Sequence, residues 1–287
     1  MDPIVDVVIP VVIFLMMMVV GHGLTPSDFR RSATDLRALV AATFGQLILL
    51  PLIATLIVLV FEPGPAVVAG LVLVAACPGG SISNFYACLA HANSALSVTL
   101  TAVSCLLSFL TMPALVAAGF FFWLDDVPAI EVPIVTLAAQ LLLLVALPIG
   151  LGMALRAWRP ATTDTRDLLL RRLSLAALVA VVAFVVYDQW AAIVADIGVF
   201  ALAGLLFTVL SMVAGYLLAW ITGRTVADRL TYLIEFPCRN LALAVVVAVS
   251  ILGHPDFVAF AAVLLLVQAL IMISLVAFLR REPATRG

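Results

Sequence analysis

The chain contains no lysine, and only 10% of its 287 residues are charged. An ordinary soluble domain carries about 25% charged and about 45–50% apolar residues, whereas here 66% are hydrophobic and the mean hydropathy is +1.30. That scarcity of charge excludes a soluble enzyme, a nucleic-acid binder and a disordered chain together. No stretch is long and polar enough for a separate soluble domain. Cysteine is also sparse. Cys77, Cys88, Cys105 and Cys238 all fall inside apolar segments, so they read as small buried hydrophobes and not as a disulfide framework or a spaced Cys/His metal set. The three histidines, His22, His91 and His254, lie near the ends of apolar runs and are assigned no chemistry.

What the chain has is a succession of apolar runs, near residues 4–21, 37–60, 66–91, 95–124, 131–155, 172–190, 197–222, 227–252 and 256–279. At ~20 residues per span they predict nine transmembrane helices, an all-α polytopic membrane protein with one domain over 1–287. The first run follows Asp2 and Asp6, with no basic flank before it and no small-residue cleavage site after it, so it reads as a membrane helix and not a signal peptide. Separators such as Glu62-Pro63-Gly64-Pro65 and Gly253-His254-Pro255-Asp256 are short and turn-forming. Phe120-Phe121-Phe122-Trp123 closes the fourth span and reads as an interfacial anchor.

Arginine sets the orientation. Arg30, Arg31 and Arg37 follow the first span, and Arg156, Arg159, Arg166, Arg171 and Arg172 lie between the fifth and sixth. Arg224 and Arg229 precede the eighth, and Arg280, Arg281 and Arg286 follow the ninth. With nine spans all of these face one side, while Asp2, Asp6, Glu62, Asp125, Asp126, Glu131, Asp188, Asp196 and Asp256 face the other. Basic residues mark the cytoplasmic side, so the N-terminus is expected outside and the C-terminus inside, as for a bacterial inner membrane.

Arg239 is left over, four residues after Glu235 in the eighth span. An i,i+4 ion pair would be a structural explanation; intramembrane charges more often mark a functional site. Both residues flank a break. Glu235-Phe236-Pro237-Cys238-Arg239-Asn240 interrupts the eighth span, and Cys77-Pro78-Gly79-Gly80-Ser81-Ile82-Ser83-Asn84 interrupts the third. Each proline lacks an amide hydrogen, and glycine weakens the turn after Pro78. The two spans are each the third of a four-helix block, approximately 4–124 and 172–279, and an offset of five spans makes the blocks inverted repeats. Interrupted spans at matching places in inverted repeats point to the binding site of a secondary transporter. Half-helix N-termini near Ser81 and Asn240 would favour an anionic substrate, while unwound carbonyls, hydroxyls and a carboxylate suit a small cation. Each of these two residues also reads as a helix cap, and Gln140 and Gln268 read as interhelical hydrogen bonds.

These residues resemble the bile acid:sodium symporter family over nearly the whole chain. The resemblance is carried by Gly23-Leu24-Thr25-Pro26-Ser27-Asp28-Phe29, by Gln46 with Pro51, by Pro78-Gly79-Gly80-Ser81-Ile82-Ser83-Asn84 with Leu96-Ser97 and Thr101, and by Glu235 through Asn240. A count of nine spans matches the animal carriers, which lack the first of the ten helices many members have. The resemblance implies two sodium sites, sodium being co-transported and not a prosthetic group. The first would use Ser83, Asn84, Ser97, Thr101 and Glu235; Ser97 and Thr101 share a helix face. The second would use Gln46, Glu235, the backbone near Phe236 and Cys238, and a family glutamine that is Arg239 here; Pro237 replaces a family glycine. A guanidinium cannot be deprotonated, so Arg239 is expected either to replace the second sodium as a tethered cation or to pair with an anionic substrate. Ser81 and Asn240 match substrate-facing positions.

The function implied is alternating-access transport of a small organic anion, coupled to sodium through one site. Its partners are that anion and the lipid bilayer, with no nucleic acid. A sodium-independent or proton-coupled carrier and a related metalloid exporter, the latter needing an essential cysteine, are the alternatives. An intramembrane enzyme lacks its nucleophile, base or metal set, and a channel would repeat one filter element by symmetry.

Overall fold

A backbone that crosses hydrocarbon must satisfy its own polar groups, and helices do this within one segment. The computed structural model describes residues 9–23, 36–124, 132–158 and 186–281, with 176, 180 and 183 in addition. Among the described residues the regular elements are all helical. In chain order they are α1 (Ile9–Gly23), α2 (Leu36–Phe61), α3 (Pro65–Ala76), α4 (Ile82–Leu89), α5 (Ser94–Trp123), α6 (Ile134–Trp158), α7 (Trp190–Ala195), α8 (Ile197–Ile221), α9 (Val226–Glu235), α10 (Leu241–Ile251) and α11 (Val258–Arg281). Among the described residues five helices are long and apolar enough to cross a membrane: α2, α5, α6, α8 and α11. Most of the predicted sixth span, the 24–35 connection, and Asp2, Asp6, Asp125, Asp126 and Glu131 lie outside the described residues.

Burial sorts these helices into two kinds. The long α2 keeps Ala38, Ala42, Gly45, Gln46, Leu50, Ile53 and Ala54 inside and turns Val40, Phe44, Ile48 and Leu52 outward. Its outer stripe is as apolar as its inner one, which is stable against lipid and not against water. Two short helices, α3 and α10, instead form the centre. Every residue of α3 from Val67 to Ala76 is buried, as is α10 from Leu241 to Ala248, so these apolar elements are surrounded by protein on all sides.

Small residues let the helices approach. At Gly21 of α1 an added Cβ would stand 2.1 Å from the Ile149 carbonyl oxygen, and at Gly152 of α6 the same distance from that of Met18. The α1–α6 contact is therefore backbone against backbone, the usual device where lipid gives no hydrophobic drive to association. At the end of α5, Phe120 is buried edge-on against Phe257 at 5.9 Å, while Phe121 and Phe122 are exposed. The expected aromatic anchor is thus Phe121 and Phe122, with Phe120 belonging to the core. Cys77, Cys105 and Cys238 are buried as expected, but Cys88 is exposed on the outer face of α4.

Candidate functional site

The third and eighth predicted spans are each broken where proline predicts it. The helix α3 ends at Ala76 and α4 starts at Ile82; α9 ends at Glu235 and α10 starts at Leu241. The two unwound segments lie antiparallel and satisfy each other. The Gly80 amide donates to the Cys238 carbonyl at 2.9 Å, and the Asn240 amide donates to the Pro78 carbonyl at 2.9 Å, which pairs Gly79 with Arg239. Position 80 must be glycine at this range, because a Cβ there would be 2.6 Å from the Arg239 carbonyl oxygen. Buried backbone polar groups rarely go unpaired, and here a two-bond ladder replaces the helical bonds that proline removes.

Glu235, the last residue of α9, is fully buried. Its carboxylate accepts from Ser83 Oγ at 2.6 Å, from Thr101 Oγ1 at 3.3 Å and from Ser97 Oγ. The same hydroxyls also face other oxygens: Ser83 Oγ lies 2.8 Å from the Gly80 carbonyl, and Ser97 Oγ lies 2.8 Å from Asn84 Oδ1. Thr101 Oγ1 lies 3.4 Å from both Asn84 Oδ1 and Ser83 Oγ. A hydroxyl has one proton to give. Three hydroxyls cannot donate to two carboxylate oxygens, the Asn84 oxygen and the Gly80 carbonyl all at once. The cluster has more acceptors than hydroxyl protons, and with Glu235 ionised it bears a negative charge that a hard cation among oxygen ligands would balance. Five sequence-predicted residues, Ser83, Asn84, Ser97, Thr101 and Glu235, meet here. The Gly80 carbonyl is a sixth member, one of the unwound carbonyls that the break was expected to offer.

Arg239 is buried at 4% exposure and does not form the i,i+4 pair that a continuous helix would give. The helix α9 ends at Glu235, before Pro237, and among the described residues no ion pair within 4 Å joins the two. The Arg239 guanidinium instead donates from Nε at 3.0 Å, and from Nη2, to the Cys77 carbonyl. Cys77 caps the C-terminus of α3, where the helix dipole is negative and a cation is favoured. Gln46 of α2 is buried and stands with Arg239, not with Glu235, around a small cavity.

Asn240 is buried, and its side chain accepts from the Leu243 amide at 3.2 Å, a helix cap on α10. Ser81 is exposed at the start of α4 and makes no side-chain cap. Gln268 of α11 donates to the Pro237 carbonyl, the interhelical role expected of it, whereas Gln140 Oε1 is buried without a partner. Ser104 was missed: its Oγ accepts from the Gly79 amide at 3.0 Å, and its place three residues after Thr101 on α5 was the clue.

The model of the Sodium Bile acid symporter family matches residues 10–221. The chain belongs to the sodium bile acid symporter family. The match takes in the first break and the Ser97–Thr101 face and ends before α9. Among curated relatives, a probable sodium/metabolite cotransporter of Arabidopsis thaliana chloroplasts (BASS1) is 28% identical over 83% of this chain and 58% of its own. An uncharacterized sodium-dependent transporter of Bacillus subtilis (YocS) is 32% identical over 41% of this chain and 37% of its own. Human sodium/bile acid cotransporter 4 is 30% identical over 40% of this chain and 26% of its own. The aligned part thus spans from about a quarter to under two thirds of these relatives' lengths.

Proposed function

We propose that this family member is a secondary active transporter of a small organic anion, working by alternating access and coupled to one sodium ion. The supporting observation is the proton-poor oxygen cluster around buried Glu235. In this reading sodium enters among Ser83, Asn84, Ser97, Thr101 and Glu235. It ties the hydroxyls of α4 and α5 to the carboxylate at the end of α9. The ion neutralises the carboxylate, so the occupied site can be enclosed where the bare charge would be costly. That difference between loaded and empty states is what couples ion to substrate in a carrier.

Arg239 takes the place of a second sodium as a tethered cation. Its guanidinium meets the carbonyl end of α3 through Cys77, which an ion would otherwise complement. Gln46 beside it is the remnant of the second site. Asn240 and Ser81, at the starts of α10 and α4, are the proposed substrate contacts together with Arg239. The chain is read as nine spans in two inverted repeats, approximately 4–124 and 172–279, with the N-terminus outside a bacterial inner membrane.

The test is thermal unfolding of the purified full chain in sodium against potassium or choline, at equal ionic strength and with one common anion. A ligand that binds only the folded state raises apparent stability. A sodium-specific rise that Glu235→Gln or Asn84→Ala abolishes is the expected result. Equal stability in all three cations would sink the sodium reading.

A further inference from the structure

The acceptor-rich cluster at Glu235 has a counterpart of opposite character across Gly79. A Cβ built on Gly79 would stand 3.3 Å from Glu235 Oε2 and 3.3 Å from Ser104 Oγ. On the Ser104 side lies a cavity of about 10 Å³, enough for one water-sized body. Its polar lining comes from Thr43 and Gln46 of α2, Ser104 and Thr111 of α5, the Cys77 backbone and Arg239. Glu235 is not part of it.

The lining groups divide by what they have already spent. Ser104 Oγ donates to the Thr101 carbonyl at 3.0 Å, Thr111 Oγ1 donates to the Leu107 carbonyl at 3.2 Å, and the Cys77 carbonyl is taken twice by Arg239. Three atoms remain buried without a partner: Arg239 Nη1, Gln46 Nε2 and Thr43 Oγ1. Their residues are 4%, 3% and 9% exposed, so water outside the protein does not satisfy them. Each can donate, and one carries a full positive charge. Unsatisfied buried donors are costly, and a charged one most of all. A water could give its own protons to the Thr43 hydroxyl or the Gln46 amide oxygen, but it would leave the guanidinium charge unmatched on this side. An anion meets all three donors and the charge with no proton left over.

We propose that the Arg239–Gln46–Thr43 cavity is an anion subsite that takes one atom-sized anionic group, either a halide ion or one oxygen of a small carboxylate. Arg239 then does two things: Nε and Nη2 hold it to α3, and Nη1 faces the anion. The crossing carries a cation position and an anion position on opposite sides of Gly79, which accounts for two buried charges that do not pair directly. Only the carboxylate case rests on the transporter reading, where it is the substrate's charged end.

The experiment is thermal unfolding of the full chain at fixed sodium and ionic strength, exchanging chloride, bromide or acetate for methanesulfonate, whose tetrahedral head is bulkier behind its oxygens than a halide or a planar carboxylate. A saturable rise of several degrees with the small anions is expected, abolished in Arg239→Gln and weakened roughly tenfold in affinity in Thr43→Val, in line with the loss of one hydrogen bond to a charged group. A response to halides alone assigns a resident halide, and a response to acetate alone assigns the substrate head. Competing responses to both assign a shared seat. The proposal is overturned if every anion gives the same stability, or if Arg239→Gln keeps the response. Should Arg239→Gln not fold, an unchanged response in both Thr43→Val and Gln46→Leu overturns it equally. Because sodium is constant throughout, an anion response without a sodium effect would retire the sodium reading and leave this one standing, and the converse holds.

Discussion

The Cys77 carbonyl at the end of α3 and the Arg239 guanidinium, 162 residues apart in sequence, are joined by two hydrogen bonds inside the protein. This contact fixes where the unusual charge of the chain goes. It faces the negative end of a half-helix and leaves the carboxylate of Glu235 to the hydroxyls of α4 and α5.

Replacing that guanidinium is therefore the most informative substitution for coupling. Arg239→Gln puts beside Gln46 the glutamine that the resemblance assigns to this position, and sodium binding, read from the sodium dependence of thermal unfolding, is expected to become steeper. The Hill coefficient should rise from about one toward two. Unchanged sodium dependence would mean that Arg239 does not stand in for an ion.

The crossing itself depends on close backbone approach. Gly80→Ala would place a methyl group 2.6 Å from the Arg239 carbonyl oxygen, against backbone that cannot rotate away. Overpacking of this kind costs about 1–3 kcal/mol, so a lower melting temperature and a large loss of transport are expected. Wild-type melting behaviour would show that the two segments separate at little cost.

Two glutamines give a matched comparison. Gln268→Leu strips the Pro237 carbonyl of its donor and should destabilise by about 1–3 kcal/mol. Gln140→Leu removes an oxygen that is already unpaired and should be neutral or stabilising. Thermal unfolding of both variants checks the pair, and equal losses would contradict the assignment.

Cysteine chemistry separates an organic-anion carrier from a metalloid exporter. Cys77→Ala and Cys238→Ala are expected to keep most uptake, since both thiols are buried in the core. Loss of transport in both, with folding intact, would favour the exporter. The exposed Cys88 should be the cysteine that reacts first with a maleimide added to the purified protein.

Much of the site was legible because its signals are local. Proline removes an amide wherever it sits, so the breaks after Cys77 and Phe236 followed from Pro78 and Pro237 alone. Ser97 and Thr101 share a face by helical arithmetic, and their meeting with Ser83 and Glu235 agrees with it. The same arithmetic does not extend to Arg239: the ion pair weighed as its structural explanation needs a continuous helix from Glu235, and Pro237 lies between them. Tertiary choices left no local trace: Gln268 finding Pro237, and Cys88 turning outward. Ser81 looked like a cap by residue type, yet the equivalent bond is made by Asn240 at the other break.

The ladder between Gly79 and Arg239 is made by main-chain atoms, so it is indifferent to which side chain stands at position 239. An arginine can occupy that place without rebuilding the scaffold that brings the two halves together. Charge at the heart of the molecule is thus an interchangeable part. The side chain at 239 can change while the two main-chain bonds stay, whereas Gly80, held against the Arg239 carbonyl, has no such freedom.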